Sequence, residues 1–252
     1  MAKKSTVVHT KSAQTHLDGN ALHNALLLNL PVKECESIYP QLAFMPLPTH
    51  AVLNEAGEQI KYAYFMNSGL ASVLNVTHAG KSVEVGLTGK EGFVGLPLLV
   101  GFQSSPARVI IQIEGSAFRV SAAALEGLLR ICPILEKRMH RYSQVLAVQA
   151  SQVATCNTLH DVDERLARWL LMSQDRIGTA LVPLTQEFLA HMLGTRRASV
   201  TVAACQLQKA GLIKYTRGSV NIVNRQALED AACGCYGALV EQSSKWDGES
   251  CQ

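Results

Sequence analysis

The sequence predicts an α+β protein: an antiparallel β sandwich or jelly roll, then a long helix, then a winged helix-turn-helix. Three observations predict it. Between about residues 42 and 120 helical periodicity is absent, and short runs rich in Val, Ile, Tyr and Phe alternate with glycine turns. From residue 135 to 156 the inward positions recur at alternating steps of four and three, with no Gly or Pro among them. From residue 184 to 223 small, glycine and apolar positions fall at the spacing of two crossed helices followed by a hairpin.

Composition supports a folded protein. The chain has 252 residues, 48% hydrophobic and 17% charged, enough to bury a core; this excludes a disordered or fibrous protein. No run approaches the ~18 uncharged apolar residues of a membrane span, and residues 1–20 hold no apolar signal core. A cytoplasmic location with no membrane partner is expected. Seven cysteines, an odd number in a chain this long, argue for reduced thiols over a disulfide framework.

Residues 1–20, rich in Lys, Ser and Thr, read as a disordered tail. A helical patch follows over 21–38, with Leu22, Leu26, Leu27 and Leu30 at helical spacing. Strands are predicted at 51–54, 60–67, 71–77, 82–87, 109–113 and 116–120. Turns are predicted at Ala56-Gly57, Asn67-Ser68-Gly69, Ala79-Gly80 and Thr88-Gly89. The strand-rich unit so defined, the sensor unit of the resemblance given below, spans 21–120, and helices fill 121–159. Leu135, Met139, Tyr142, Leu146, Gln149, Val153 and Cys156 form a heptad stripe covering 21 residue steps, about 32 Å of helix. Such a stripe can pack on its own domain or on its twin. Gln149 and Cys156 suit a two-stranded seam better than a core, so the stripe is read as the seam of a homodimer. A capping box, Asp161-Val162-Asp163-Glu164, opens the next helix, with Leu166, Leu170 and Leu171 inward. That helix ends at Gly178, and Pro183 closes the linker. A reading unit is assigned to 160–237 and a flexible tail to 238–252.

The reading unit carries the most specific pattern. Thr185 can cap a helix that begins at Gln186. Counting Gln186 as position one, Ala190 is fifth, Gly194 ninth, Val200 fifteenth and Ala203 eighteenth. A steep helix crossing needs the small residue, and a tight turn needs the positive φ that Gly adopts cheaply. The outward face of the second helix then carries Arg196, Arg197, Ser199 and Thr201. Arginine there can read guanine O6 and N7, and the hydroxyls can reach bases or phosphates. Two short strands flank Thr216-Arg217-Gly218-Ser219, a hairpin with a cationic tip. Thr185, Gln186, Lys214, Arg217 and Ser219 are the expected phosphate and wing contacts. Charge agrees: residues 183–225 hold six Lys/Arg and one acid, Glu187, while the rest of the chain holds 17 basic and 19 acidic residues. One basic segment on a near-neutral chain is a nucleic-acid footprint or a solvated basic face; together with the helix spacing and the hairpin it points to double-stranded DNA as partner.

The stretches "NEAGEQIKYAYFMNSGLAS" (54–72), "VEVGLTGKEGFVGLPLLVG" (83–101) and "LTQEFLAHMLGTRRASVTVAACQLQKAGLIKYTRGSVNIVN" (184–224) carry a family resemblance. Over about residues 21–237 the chain resembles the Crp/Fnr family of bacterial transcription regulators. The resemblance implies a cyclic-nucleotide-binding-like jelly roll, a long dimerisation helix and a winged helix-turn-helix of Crp type. It also implies a homodimer on palindromic promoter DNA that recruits or blocks RNA polymerase.

In members that bind cyclic nucleotides, a Gly-Glu pair meets the ribose and an Arg-Ser or Arg-Thr pair meets the phosphate. At the matching places this chain has Gly95-Leu96 and Arg108-Val109. An effector pocket would involve Gly92, Gly95, Leu96 and Arg108, but without the ribose carboxylate or the Arg-Ser pair. A buried phosphate lacking its cation is costly. The reading is therefore a regulator independent of cyclic AMP, its effector unknown. The alternatives are a cyclic-nucleotide-responsive regulator and a cysteine-based redox or metal sensor. For the latter, Cys233-Gly234-Cys235 is the one local pair, and no two further ligands stand near it in sequence. No metal site or cofactor is assigned. The eight histidines are scattered. Gly80-Lys81-Ser82 lacks the earlier glycine of a phosphate loop and is read as a hairpin turn. No Ser/His/Asp set or carboxylate pair suggests an enzyme.

Overall fold

The computed structural model describes residues 16–17 and 19–248. Most of the predicted N-terminal tail lies outside the described residues. Within it, β1 (His16–Leu17) pairs antiparallel with β2 (Asn20–Ala21), and Leu17 is buried. The helix expected over 21–38 is confined to α1 (Val32–Ile38). Asn24 explains the difference: its Oδ1 accepts from Leu26 N at 3.1 Å, and its Nδ2 donates to Met66 O and Gly92 O at 2.8 Å each. This side chain holds the segment as a turn. Asn29, at φ 56°, and Pro31 then prevent helix before residue 32. The four leucines are buried as their spacing suggested, but from a turn.

The sensor unit contains β3 (Ala43–Leu47), β4 (Val52–Asn54), β5 (Tyr62–Val76), β6 (Ser82–Thr88), β7 (Phe93–Val94) and β8 (Ala107–Ser121). They form one six-stranded antiparallel sheet, ordered β3-β8-β5-β6, with β4 on β8 and β7 on β5. Two pairs of predicted strands are each one continuous strand, β5 and β8. The turn expected at Asn67-Ser68-Gly69 is a bulge within β5, where the register with β8 shifts three times between Met66 and Ala71. Gly69 has φ +78°, and a Cβ on it would lie 2.6 Å from Ile113 O. A side chain there would require strain and a clash.

One face of the bent sheet, with Phe65, Phe93, Phe118 and Val120, packs beneath the N-terminal segment, α2 (Ala122–Leu129) and α3 (Pro133–Leu159). Leu47, Tyr64, Met66, Val109 and Ile111 form a second cluster. Gly80-Lys81-Ser82 lies at the β5–β6 hairpin.

The structure corrects the assignment of the heptad stripe. Leu135, Met139, Tyr142, Leu146, Gln149, Val153 and Cys156 are all buried within a single chain. They face their own protein, so they are not the seam between two copies. Leu135, Met139, Tyr142 and Leu146 belong to the sensor core. Tyr142 lies over Gly92, where a Cβ would fall 1.9 Å from its ring, and its hydroxyl donates to Thr88 Oγ1 at 2.9 Å. Gln149 is tolerated because its Oε1 accepts from Arg176 Nη2 at 3.3 Å. Cys156 meets other thiols. The opposite face of α3, with Lys137, Gln144, Ala147, Ser151, Ala154 and Thr158, is exposed. The N-terminus of α3 is capped from a distance: Glu34 accepts from Ile134 N and Leu135 N at 2.9 Å each.

The reading unit is α4 (Val162–Ile177), β9 (Leu181–Val182), α5 (Gln186–Met192), α6 (Arg197–Lys209), β10 (Ile213–Thr216), β11 (Ser219–Ile222) and α7 (Arg225–Ala231). The predicted capping box is formed, with Asp161 N donating to Glu164 Oε2 at 3.0 Å, and Gly178 closes α4 in the left-handed region. The strands form a three-stranded sheet, ordered β10-β11-β9. The flexible tail expected from 238 is helical instead as far as described, within α8 (Cys235–Gly248).

The two units share a core. Trp169 of α4 is buried beside Leu70, Leu74 and Leu87 of the sheet, and its Nε1 donates to Glu84 Oε1 at 2.8 Å. Ser72 Oγ donates to Glu84 Oε2 at 2.7 Å. Full burial pushes the Glu84 carboxyl up from 4.5 to about 7, against the pull of the Ser72 and Trp169 hydrogen bonds. Between these two values the folded chain keeps a proton that the unfolded chain releases. Stability should therefore fall as pH rises from about 4.5 to about 7, by roughly 3 kcal/mol in total from this group. Glu84→Gln should remove that fall. Urea unfolding at a series of pH values checks it: an unchanged pH slope in the variant would contradict the assignment.

Candidate nucleic-acid interface

Thr185 caps α5, its Oγ1 accepting from Phe188 N at 3.2 Å. Gly194 takes φ +59°, and the turn closes with Thr195 N donating to Ala190 O at 3.0 Å. Ala190, Val200 and Ala203 are buried between the helices. The positions counted in the sequence thus hold α5 and α6 together and leave the outer face of α6 free. Arg196 is the N-cap of α6 and Arg197 its first residue, and both are exposed.

The expected contact residues do not all present themselves alike. Thr201 Oγ1 lies 2.8 Å from Gln186 Oε1 and 3.0 Å from Arg197 O, so its one hydroxyl hydrogen is engaged inside the motif and its oxygen is left as an acceptor. Gln186 is engaged by the same contact and keeps its amide N–H groups for a ligand. Arg196 and Ser199 line a groove of about 910 Å³ with Thr77, Lys81 and Val83 of the β5–β6 hairpin. Gly194 is so close to that hairpin that a Cβ on it would lie 2.9 Å from Val83. Arg197 stands outside this groove.

The hairpin of β10 and β11 carries exposed Lys214 and Arg217, with Gly218 at φ +86° in its turn. Ser219 Oγ is 2.7 Å from Thr216 Oγ1, which ties the tip. Arg225 drops out of the cationic footprint, because it pairs with Asp175 at 2.8 Å and Glu229 at 2.8 Å. Arg196, Arg197, Lys209, Lys214 and Arg217 remain exposed. Val202, 58% exposed on α6, lies outside the expected base-reading set. An apolar group there can meet a thymine methyl; its position among the outward residues of α6 was the available signal.

In the sensor unit, a cavity of about 170 Å³ is lined by Asn54, Tyr62, Phe93, Val94, Gly95, Leu96 and Leu146 among others. Gly95 and Leu96 reach it. Gly92 and Arg108 do not: Gly92 lies beneath Tyr142, and Arg108 pairs with Glu55 at 3.2 Å, half-exposed. Among the described residues, the lining holds no charged side chain.

Among the described residues no helix is long and apolar enough to cross a membrane. The cyclic nucleotide-binding domain family matches residues 44–132, and the Crp-like helix-turn-helix domain family matches residues 164–231. No curated protein sequence matches the chain. Among solved structures, FixK2 of Bradyrhizobium japonicum is similar at 17% identity and a TM-score of 0.66, over 76% of this chain and 98% of that one. The c-di-GMP responsive global regulator CLP of Xanthomonas campestris is similar at 16% identity and a TM-score of 0.64, over 76% and 99%. A crp/fnr family regulator of Eubacterium rectale is similar at 16% identity and a TM-score of 0.63, over 81% and 95%. The fold is shared with these proteins, and members of the family are DNA-binding transcription factors rather than enzymes. With a cyclic nucleotide-binding domain followed by a Crp-like helix-turn-helix, this chain belongs to the Crp/Fnr family of transcription regulators.

Proposed function

We propose that the chain acts in the cytoplasm as a homodimer that reads two-fold symmetric promoter sites and meets RNA polymerase there, without requiring cyclic AMP. The observation that carries the reading is the pairing of exposed Arg197, at the start of α6, with exposed Arg217 at the hairpin tip of the same module. One is suited to base edges in a major groove and the other to the flanking phosphates. The domain assignment follows: a sensor unit, a helical connector from about residue 121, and a reading unit from about 160.

Independence from cyclic AMP rests on the cavity, which offers apolar carbon where a cyclic phosphate would need a cation. With the heptad stripe turned inward, the dimer contact is assigned to the exposed face of α3, around Gln144, Ala147 and Ser151. Small side chains there let two helices approach closely.

Selection of bound sequences from random duplex DNA, with sedimentation of the free protein, tests the proposal. A two-fold symmetric consensus and a dimer are expected, with binding unchanged by cyclic AMP. Ser151→Arg sits on exposed surface and should yield a folded monomer with weakened site binding. A consensus without symmetry, or a Ser151→Arg protein that stays dimeric, would overturn the dimer assignment.

A further inference from the structure

Away from the reading face, three cysteines and a histidine converge at the joint between the two units. Cys156 and His160 are four residues apart on the last turn and C-cap of α3, which puts them on one side of the helix. Cys233 and Cys235 flank Gly234 at the start of α8. One potential ligand atom from each of the four lies within 4.8 Å of all the others. Cys156 Sγ is 3.3 Å from Cys233 Sγ, and Cys235 Sγ is 3.5 Å from His160 Nδ1. The three thiols are buried and form a cluster of their own, apart from the carbon-rich cores.

We propose that Cys156, His160, Cys233 and Cys235 form a mononuclear zinc(II) site that staples α8 to the end of α3. The dimensions fit. With Zn–S near 2.3 Å and Zn–N near 2.0 Å, the edges of a tetrahedral site are about 3.8 Å between sulfurs and about 3.5 Å between sulfur and nitrogen. The observed spacings match this scale, whereas an iron–sulfur cluster spreads its ligands more widely around several metal atoms. Three cysteines and one histidine also make up a closed structural zinc set.

The charge balance fits as well. Zn²⁺ with three thiolates and a neutral imidazole carries one net negative charge, and binding releases the three thiol protons to solvent. Arg165 and Arg168, both buried on α4, stand beside this cluster. Among the described residues, Nε of each has no hydrogen-bond partner. Arg165 donates to Leu193 O, and Arg168 Nη1 lies 3.1 Å from Met172 Sδ. An anionic zinc centre supplies the countercharge these buried cations need.

His160 immediately precedes Asp161, the N-cap of α4. The site therefore fixes the joint through which the reading unit is oriented. Its existence does not depend on the DNA reading.

The test uses the full chain, purified reduced, with metal analysis and titration by Co(II). One zinc per chain is expected as isolated. Co(II) should give the d–d bands of a tetrahedral, thiolate-rich site at one per chain, and zinc should displace it. Cys156→Ser, His160→Ala and Cys235→Ser should each weaken Co(II) binding by more than the ~10–100-fold that loss of an outer partner costs. Cys205→Ser, on the exposed face of α6, should leave the spectrum unchanged. In case the ligand variants fold poorly, counting thiols in the wild-type protein gives a second measure: zinc should protect three. Absence of the tetrahedral spectrum in the folded wild-type protein would overturn the proposal. So would unprotected thiols, or a Cys156–Cys233 disulfide in the metal-loaded protein.

Discussion

Trp169→Ala should lower the free energy of unfolding by about 3–5 kcal/mol, the usual range for removing a large aromatic side chain from a core. Trp169 is 1% exposed and packs where α4 meets the sheet, so the cavity would open between the two units. The same change deprives Glu84 Oε1 of its indole N–H donor. A buried acceptor left without its donor adds its own desolvation cost. That added cost should be larger above pH 7, where Glu84 carries its charge. Trp169→Phe also loses the N–H but keeps most of the ring volume, so the difference between the two variants reports packing, and the pH dependence common to both reports the lost hydrogen bond. Urea titration at pH 6 and pH 8 reads both. A Trp169→Ala loss under about 1 kcal/mol would show that the two units do not share a cooperative core.

The second large effect concerns DNA. Arg197→Ala should cost ~1–3 kcal/mol at the selected site, about 5- to 150-fold in affinity, and relax preference at one base pair per half-site. Arg217→Ala should weaken all sequences alike and lower the salt slope by about one counterion per subunit. In the familiar Crp/Fnr pattern an Arg-Glu pair follows the turn, and here it is Arg197-Ala198. Ala198 cannot accept from cytosine, so the half-site should differ from that of relatives with Glu. Competition across single-base variants at two salt concentrations distinguishes the roles. Equal weakening of every sequence by Arg197→Ala, with altered base preference in Arg217→Ala, would reverse the proposed docking.

The helix-turn-helix was legible because its determinants are local. Ala190, Gly194, Val200 and Ala203 lie within one short stretch, and each role follows from size or φ. The stripe on α3 was legible as a face but not as a partner, because periodicity says which side is covered and not by what. Gln149 and Cys156 pointed toward a seam only while Arg176 and Cys233, 27 and 77 residues away, were out of sight. The same distance hid the thiol cluster, where Cys233-Gly234-Cys235 showed half of a ligand set. Leu22, Leu26, Leu27 and Leu30 carried helical spacing into a turn because Asn24 bonds to strands more than 40 residues on. Gly69 signalled a special backbone position correctly. Some bulges and some turns alike place a glycine at positive φ, and only the pairing with β8 separates them here.

The inward stripe of α3 serves two clients in succession. Leu135 through Leu146 grip the sensor core, Gln149 reaches Arg176 of α4, and Cys156 reaches the thiols ahead of α8. The helix therefore acts as a keyed shaft, and its residue count stores an angle. One residue inserted after Leu146 would swing everything downstream by about 100° while advancing it only about 1.5 Å. A whole heptad would return the bearing to within ~20°. Between sensor and reading head, length along this helix is thus a matter of phase far more than of reach.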